Sequence, residues 1–317
     1  MFNILIPQGC RSDTGLSDPI IKRLQKEKWC NIKVIQLEPQ NFISSYQLTD
    51  ISCKANNYIG IYDQEKPRIL LATGDRVEMC AAACAAFHNK IPIAHFYAGI
   101  VNDPITTFDD VDRHCITLWS DIQFCESEEA HQRTCYLLAS VGLQKKLNSH
   151  VVGVSHLDDV NFDTSLIYCD KINIDESLCP TKTDWVTQTF PIISYDLILY
   201  NTPPLIEKHK DIRELNHTVN VGHYDILIRG NPDGDSDIEL EDYDEIYDNL
   251  PRPQFLGLLK NCQRFITNSS AAIYEAPHFI KPEQIVWVGD RNRNRARGPF
   301  QTGASDKIIA ILKEYLK

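Results

Sequence analysis

Ile69-Leu70-Leu71-Ala72-Thr73 is a short apolar run that stops at Gly74, so it reads as a buried strand. Asp75 and Arg76 follow at its carboxyl end. Val77 to His88 carries alanines, a methionine and no breaker, the composition of a helix, and Lys90-Ile91-Pro92-Ile93-Ala94-His95 begins the next strand. The stretch is strand–helix–strand with charged residues at the strand tips, which is where open α/β sheets bind ligands. One Asp-Arg pair at a strand tip is compatible with a purely structural role. Three polar clusters after consecutive elements, at Asp75-Arg76, at His95 to Gly99 and at Asp109-Asp110 with Arg113-His114, favour a site.

The same rhythm extends in both directions. Phe2–Pro7 is strand one, Gln8 to Gly15 a glycine-flanked turn, and about Leu16 to Lys28 a helix. Trp29–Gln36 is strand two, and residues 37–60 are less regular. Ile122–Glu126 is a strand, Ser127 an N-cap with acidic first-turn residues behind it, and a helix runs to about Gly142. Val151 to Asp158 closes the first half, and residues 161–190 contain the hinge.

In the second half, strands are expected at Asp196–Tyr200, Tyr224–Arg229, Arg264–Thr267 and Ile285–Val288, with helices at about Leu205–Val219 and Pro253–Lys260. The acidic run Asp233–Asp248 reads as a solvated loop. A last helix, about Ser305–Leu316, carries an apolar stripe of Ile308, Ile309, Ile311, Leu312 and Leu316 that must pack on a domain. The fold class is α/β. A length of 317 residues fits two domains, here 1–165 and 166–302, with 303–317 a terminal helix packing back on them.

Composition narrows the partners. No stretch of eighteen apolar residues is present, and the start lacks a signal peptide's basic and apolar regions. A net charge of −11 argues against nucleic acid as main partner. Eleven cysteines without any C-x-x-C spacing give a zinc site little support. Cys80 and Cys84, four apart on one helix, read as small buried thiols on a packing face. Cys10 lies in a candidate site loop. An odd number of cysteines without a signal peptide points to reduced thiols in cytoplasm.

Three stretches suit an anion. The Gln8–Gly15 turn directs backbone N–H groups and a helix start outward, and Arg11 adds a planar fork; a plain structural turn explains the glycines equally well. Asn268-Ser269-Ser270 pairs small residues at a strand-to-helix turn with hydroxyl donors fit for a diphosphate. Glu275, one and a half turns further, is placed to accept from ribose hydroxyls. Gly289 to Pro299 alternates four arginines without aromatic interleaving, which fits an anion clamp better than a nucleic-acid surface.

Taken together these blocks resemble the hydrolysing UDP-N-acetylglucosamine 2-epimerases of sialic acid biosynthesis, over nearly the whole chain. Gly9-Cys10-Arg11-Ser12-Asp13 is similar to that family's G-T-R-x-D/E turn, and Gly74-Asp75-Arg76-Val77-Glu78 to its G-D-R-x-D/E block. His95 through Gly99 is similar to H-I-x-G-G, and Asp109-Asp110 with Arg113-His114 to D-D-x-x-R-H. Asn231 and Asp233 resemble N-x-D, Asn268-Ser269-Ser270 with Glu275 resembles N-S-S-x-x-x-x-E, and Gly289-Asp290-Arg291 the last block.

The resemblance implies two Rossmann-like domains facing a central cleft, as in GT-B glycosyltransferases. It implies elimination of UDP across C1 and C2 of the sugar and then addition of water, releasing N-acetylmannosamine. It places Asp75, Asp109 and Asp110 in proton transfer, with Arg76 and His114 orienting them, although His114 is equally a satisfied core histidine. Arg11, Asp13, His95, Arg113, Asn231, Ser269, Ser270, Glu275, Arg291 and Arg295 fall to substrate and UDP. The expected partners are a UDP-sugar and further copies of the chain, as dimer or tetramer. No metal, cofactor, nucleic acid or membrane is expected.

Two catalytic positions depart from the family pattern. Tyr97 stands where Glu or His is usual, and a phenol of reference pKa near 10 is a poor base. Asn201 stands where His is expected, and an amide does not exchange protons near neutrality. The alternatives are therefore a glycosyltransferase-like or altered-substrate enzyme, or a degenerate UDP-sugar-binding member.

Overall fold

The structure, a computed structural model, describes residues 1–8, 11–36, 48–101, 108–169, 190–191, 194–200, 224–229, 243–247, 250–289 and 300–317. The first half is a six-stranded parallel sheet in the order β2-β1-β3-β4-β5-β6. Its strands are β1 (Phe2–Gln8), β2 (Cys30–Gln36), β3 (Ile69–Thr73), β4 (Ile93–Phe96), β5 (Ile122–Cys125) and β6 (Ser149–Val151). Between them run α1 (Arg11–Leu24), α2 (Leu48–Glu65), α3 (Val77–His88), α4 (Phe108–Trp119) and α5 (Glu128–Ser140). β3, β4 and β5 are buried at every position, as parallel strands covered on both faces must be.

A two-stranded antiparallel ribbon, β7 (Tyr168–Cys169) with β8 (Phe190–Pro191), stands between the halves in sequence. The second sheet is also parallel, ordered β11-β10-β9-β12-β13. It contains β9 (Tyr195–Tyr200), β10 (Tyr224–Arg229), β11 (Glu245–Tyr247), β12 (Arg264–Thr267) and β13 (Ile285–Trp287). Its described helices are α6 (Arg252–Asn261) and the short α7 (Ala271–Tyr274). The last helix, α8 (Ala304–Tyr315), returns to the first half, where Ile308, Ile309, Leu312 and Leu316 share a core with Ile20 and Leu24 of α1.

Strand order decides where a site can form. In the first sheet the order reverses between β1 and β3, and in the second between β9 and β12. At such a switch point adjacent connections leave on opposite faces and open a crevice at the strand ends. Register aligns the tips: Thr73 pairs with Phe96 and Phe96 with Phe124, so Gly74, Tyr97 and Cys125 emerge side by side.

Several expectations need correction. The turn expected up to Gly15 is in fact helical from Arg11, and α1 ends at Leu24, not Lys28. The stretch taken as irregular, 37–60, holds most of α2, an eighteen-residue helix that runs on to Glu65. Within the acidic run, Glu245–Tyr247 is an edge strand paired with β10. The helix expected at 205–219 lies outside the described residues.

Candidate active site

A cavity of about 760 Å³ opens between the two sheets at their strand tips. Asp13, Gly74, Asp75, Arg76, Tyr97, Asp109 and Arg113 line it from the first half; Ser269, Ser270 and Glu275 line it from the second.

The first-half wall is built around Arg113, on α4. Its buried guanidinium ion-pairs with Asp75, donates to Asp110 Oδ1 at 2.8 Å, and donates to the Ile100 carbonyl at 3.0 Å. Asp110 is fully buried, whereas Asp75 keeps a 22% exposed side chain and faces the cavity. One planar fork therefore satisfies two carboxylates and leaves one of them at the opening. That arrangement makes a buried charge tolerable. Asp109 borders the cavity one residue earlier. Asp112 sits beside Cys80 and Glu78, where burial pushes its carboxyl up to about 6.

His95 lies under the floor and has no exposed surface. Its Nε2 is 2.9 Å from the Gly74 carbonyl and its Nδ1 3.1 Å from the Thr117 hydroxyl. A carbonyl only accepts, so the hydrogen sits on Nε2. Burial lowers His95 to about 4, which keeps it neutral. It thus pins the peptide that precedes Asp75. Gly74 itself has φ +87°, and a Cβ there would stand 3.3 Å from Asp13 Oδ1. Arg76 is buried, with Nε 3.5 Å from Glu78 Oε2. His114 is half-buried; its Nδ1 finds no hydrogen-bond partner among the described residues, and burial lowers its pKa, with Arg113 and Arg133 adding to the effect.

Tyr97 closes the floor. Its hydroxyl is 2.9 Å from Nδ1 of His156, a residue of the cavity wall that no sequence pattern singles out. The pair is separated by 59 positions, so only the fold brings it together.

On the opposite wall, the Ser269 N–H donates to Thr267 Oγ1 at 2.9 Å, and Ser269 Oγ accepts from the Ala271 N–H at 3.3 Å. Ser270 is the half-buried N-cap of α7. Because α7 has only four residues, Glu275 is its C-cap and does not lie mid-helix as expected. Its carboxylate accepts from Arg252 Nη1 at 2.6 Å. Arg252 is a further wall residue that sequence reasoning missed; it also donates through Nη2 to the His156 carbonyl at 2.9 Å.

Asn201, Asn231, Arg291 and Arg295, like Cys10, lie outside the described residues. Arg11 is described only as the first residue of α1. Among the described residues no cluster of His, Cys, Asp and Glu suits a metal ion, and no helix is long and apolar enough to cross a membrane.

A family model described as UDP-N-acetylglucosamine 2-epimerase matches residues 46–316. A Legionella pneumophila UDP-N,N'-diacetylbacillosamine 2-epimerase (hydrolyzing) is 24% identical over 97% of this chain and 84% of its own length. A Neisseria meningitidis UDP-N-acetylglucosamine 2-epimerase is 26% identical over 87% of this chain and 68% of its own. Among solved structures, the S. aureus MnaA–UDP co-structure superposes with a TM-score of 0.70 at 17% identity, covering 100% of this chain and 97% of that one. The N. meningitidis UDP-GlcNAc 2-epimerase bound to UDP-GlcNAc gives 0.68 at 16% identity, covering 99% and 100%. The shared fold is the GT-B-like pair of Rossmann-like sheets.

Proposed function

The chain belongs to the UDP-N-acetylglucosamine 2-epimerase family, and from that premise we propose that it is a hydrolysing 2-epimerase of a UDP-2-acetamido sugar. UDP-N-acetylglucosamine and water are converted to N-acetylmannosamine and UDP. The observation that carries this reading is Asp75, ion-paired to Arg113 and lining the same cavity as the Ser269-Ser270 turn of the other half. Elimination needs a base at C2 and stabilisation of the departing diphosphate. Asp75 takes the C2 proton, the electron pair forms C1=C2, and the C1–O bond breaks toward the β-phosphate. Asp109, at the cavity, serves the return of a proton when water adds, and Asp110, buried on Arg113, acts through that guanidinium; Arg76 and His114 orient the two in this reading.

Residues 166–302 form the UDP side in this reading. Ser269 and Ser270 take the diphosphate with Arg11, Arg291 and Arg295; Asn231 and Glu275 serve the nucleoside end; Asp13 and Arg113 shape the sugar side. His95 acts through the Gly74 peptide. An altered 2-acetamido sugar is the second reading. It is favoured by the Legionella relative and by a Campylobacter jejuni GDP/UDP-N,N'-diacetylbacillosamine 2-epimerase (hydrolyzing), 25% identical over 74% of this chain and 60% of its own length.

Proton NMR of the protein with UDP-N-acetylglucosamine in deuterated water tests the proposal. The expected outcome is free UDP with N-acetylmannosamine deuterated at C2. UDP release only from the diacetylated sugar selects the second reading, and saturable binding without turnover overturns both. Asp75→Asn is expected to abolish turnover with UDP affinity nearly intact. Asn201→His is expected to raise kcat at least about tenfold, since a general acid–base group contributes roughly 10²–10⁴.

A further inference from the structure

Tyr97 has φ +71°, a left-handed backbone that non-glycine residues rarely adopt and that marks functional sites when the surroundings enforce it. Here they do. The N–H groups of Tyr97 and Ala98 both donate to the Phe124 carbonyl, at 3.0 and 3.1 Å. The ring lies 4.2 Å from that of Phe96 and meets Tyr274 edge-on at 6.2 Å, centroid to centroid. With backbone and ring fixed, the hydroxyl is held beside Nδ1 of His156, 2.9 Å away, and within hydrogen-bonding reach of the Ser155 side chain. His156 is itself held edge-on to Tyr274 at 5.6 Å. Both residues border the cavity while only 4% and 3% exposed.

The groups that act on the pair are known on each side. Glu126, Tyr274, Ser155 and Glu275 act on Tyr97; Glu275, Arg252, His278 and the Tyr274 backbone act on His156. Burial raises the phenol well above its ordinary value and lowers the imidazole to about 4, so both are neutral at rest. In the tautomer with the hydrogen on Nε2, the hydroxyl donates and Nδ1 accepts.

We propose that Tyr97 and His156 form one proton-handling unit at the sugar end of the cleft, with Tyr97 touching the reacting groups and His156 orienting its hydroxyl and receiving its proton. The proposal rests on the epimerase reading above. During hydration the water oxygen bonds to C1, and the C1=C2 electron pair takes a proton at C2 from an aspartic acid. The spare water proton passes to the Tyr97 oxygen as the tyrosine's own proton moves to His156 Nδ1. The tyrosine remains a phenol throughout, so no phenolate has to form in a buried site. The charge passes to an imidazolium, which burial disfavours and the Glu275 carboxylate partly offsets, so it is short-lived. That proton returns from Nδ1 to the Tyr97 oxygen as the tyrosine passes its own to the aspartate, restoring all three groups. In this way two neutral groups take the place of the Glu or His usual at position 97.

The test is kinetics of Tyr97→Phe, His156→Gln and the double variant, each with UDP affinity by calorimetry. Glutamine keeps an acceptor near the phenol but takes no proton. The expected result is a fall in kcat of about 10²–10³ in each single variant, no further fall in the double, and UDP Kd changed less than about threefold. A proton inventory in H₂O/D₂O mixtures should be curved for the wild-type protein, because two protons move together, and linear for His156→Gln. If His156→Gln does not fold, a linear wild-type inventory overturns the proposal by itself. Wild-type kcat in His156→Gln reduces the histidine to packing and also overturns it. Full activity in all three variants overturns the unit and leaves the epimerase reading standing, whereas absence of UDP release by the wild-type protein overturns both.

Discussion

At the scale of single residues, the site relies on buried groups kept in one protonation state. His95 holds the Gly74 carbonyl only as a neutral imidazole with its hydrogen on Nε2. Its folded pKa of about 4 is below the unfolded reference of about 6.5. The unfolded chain therefore binds the extra proton first as pH falls. The stabilisation is complete above pH ~6.5 and is lost progressively between there and pH ~4. At pH 5 the difference corresponds to roughly 2 kcal/mol. Thermal melts of the wild-type protein should decline steeply from pH 7 to 5, and His95→Gln, less stable at pH 7, should decline less. Parallel declines would remove His95 as the titrating group.

The polar residues at the strand tips were legible because their types and order carry the chemistry. Their roles were less so. Arg113 was read as a substrate contact, and in the structure it holds Asp75, Asp110 and the Ile100 carbonyl. His156 and Arg252 were invisible, since their importance comes from partners 59 and 23 positions away.

At the scale of elements, strands were the most legible because a parallel strand buried on both faces is an uninterrupted apolar run. β3 and α3 fall where their residues place them, at Ile69–Thr73 and Val77–His88. α2 was missed because Asn56, Asn57 and Gly60 weaken its local preference. Tertiary packing supplies what propensity lacks: Tyr58 and Tyr62, one turn apart, bury against α3, and the Tyr62 hydroxyl donates to the Ala82 carbonyl at 2.7 Å.

The return of α8 to the first half depends on a glycine that sequence alone does not mark. Gly153 has φ +92°, and a Cβ there would stand 2.1 Å from the Gln301 carbonyl oxygen, which accepts from the Val154 N–H at 2.9 Å. Beyond this crossing, Asp158 caps α8 through the N–H groups of Gly303 and Ser305. Gly142 makes the control, with φ +78° and open space around it. Gly142→Ala should lose about 1–2 kcal/mol from backbone strain alone. Gly153→Ala should lose clearly more, since the crossing segment has to move. Urea unfolding of both variants checks this, and equal losses would mean that the crossing yields freely.

At the scale of the whole molecule, two sheets meet across a cleft, and the core of the first half takes in Ile273 and Tyr274 from the second. Tyr274 of the second half packs against Tyr97 and His156 of the first. Arg252 spans the cleft with hydrogen bonds, holding Glu275 at 2.6 Å and the His156 carbonyl at 2.9 Å. If Glu275 receives the ribose hydroxyls, the arginine is what keeps its carboxylate at the cavity wall. Losing a charge-assisted hydrogen bond of this kind typically costs about 1.5–3 kcal/mol, reduced here because the arginine side chain is 29% exposed. Arg252→Ala should therefore weaken UDP about tenfold by calorimetry and leave inorganic diphosphate nearly unchanged, because only UDP has the ribose. Arg252→Lys should fall between, since an ammonium keeps the charge but lacks the planar fork that reaches both partners. The competing picture has Arg252 occupying the carboxylate that UDP needs. In that case Arg252→Ala would bind UDP more tightly, and Glu275 would be a latch between the halves, not a ligand for the nucleotide.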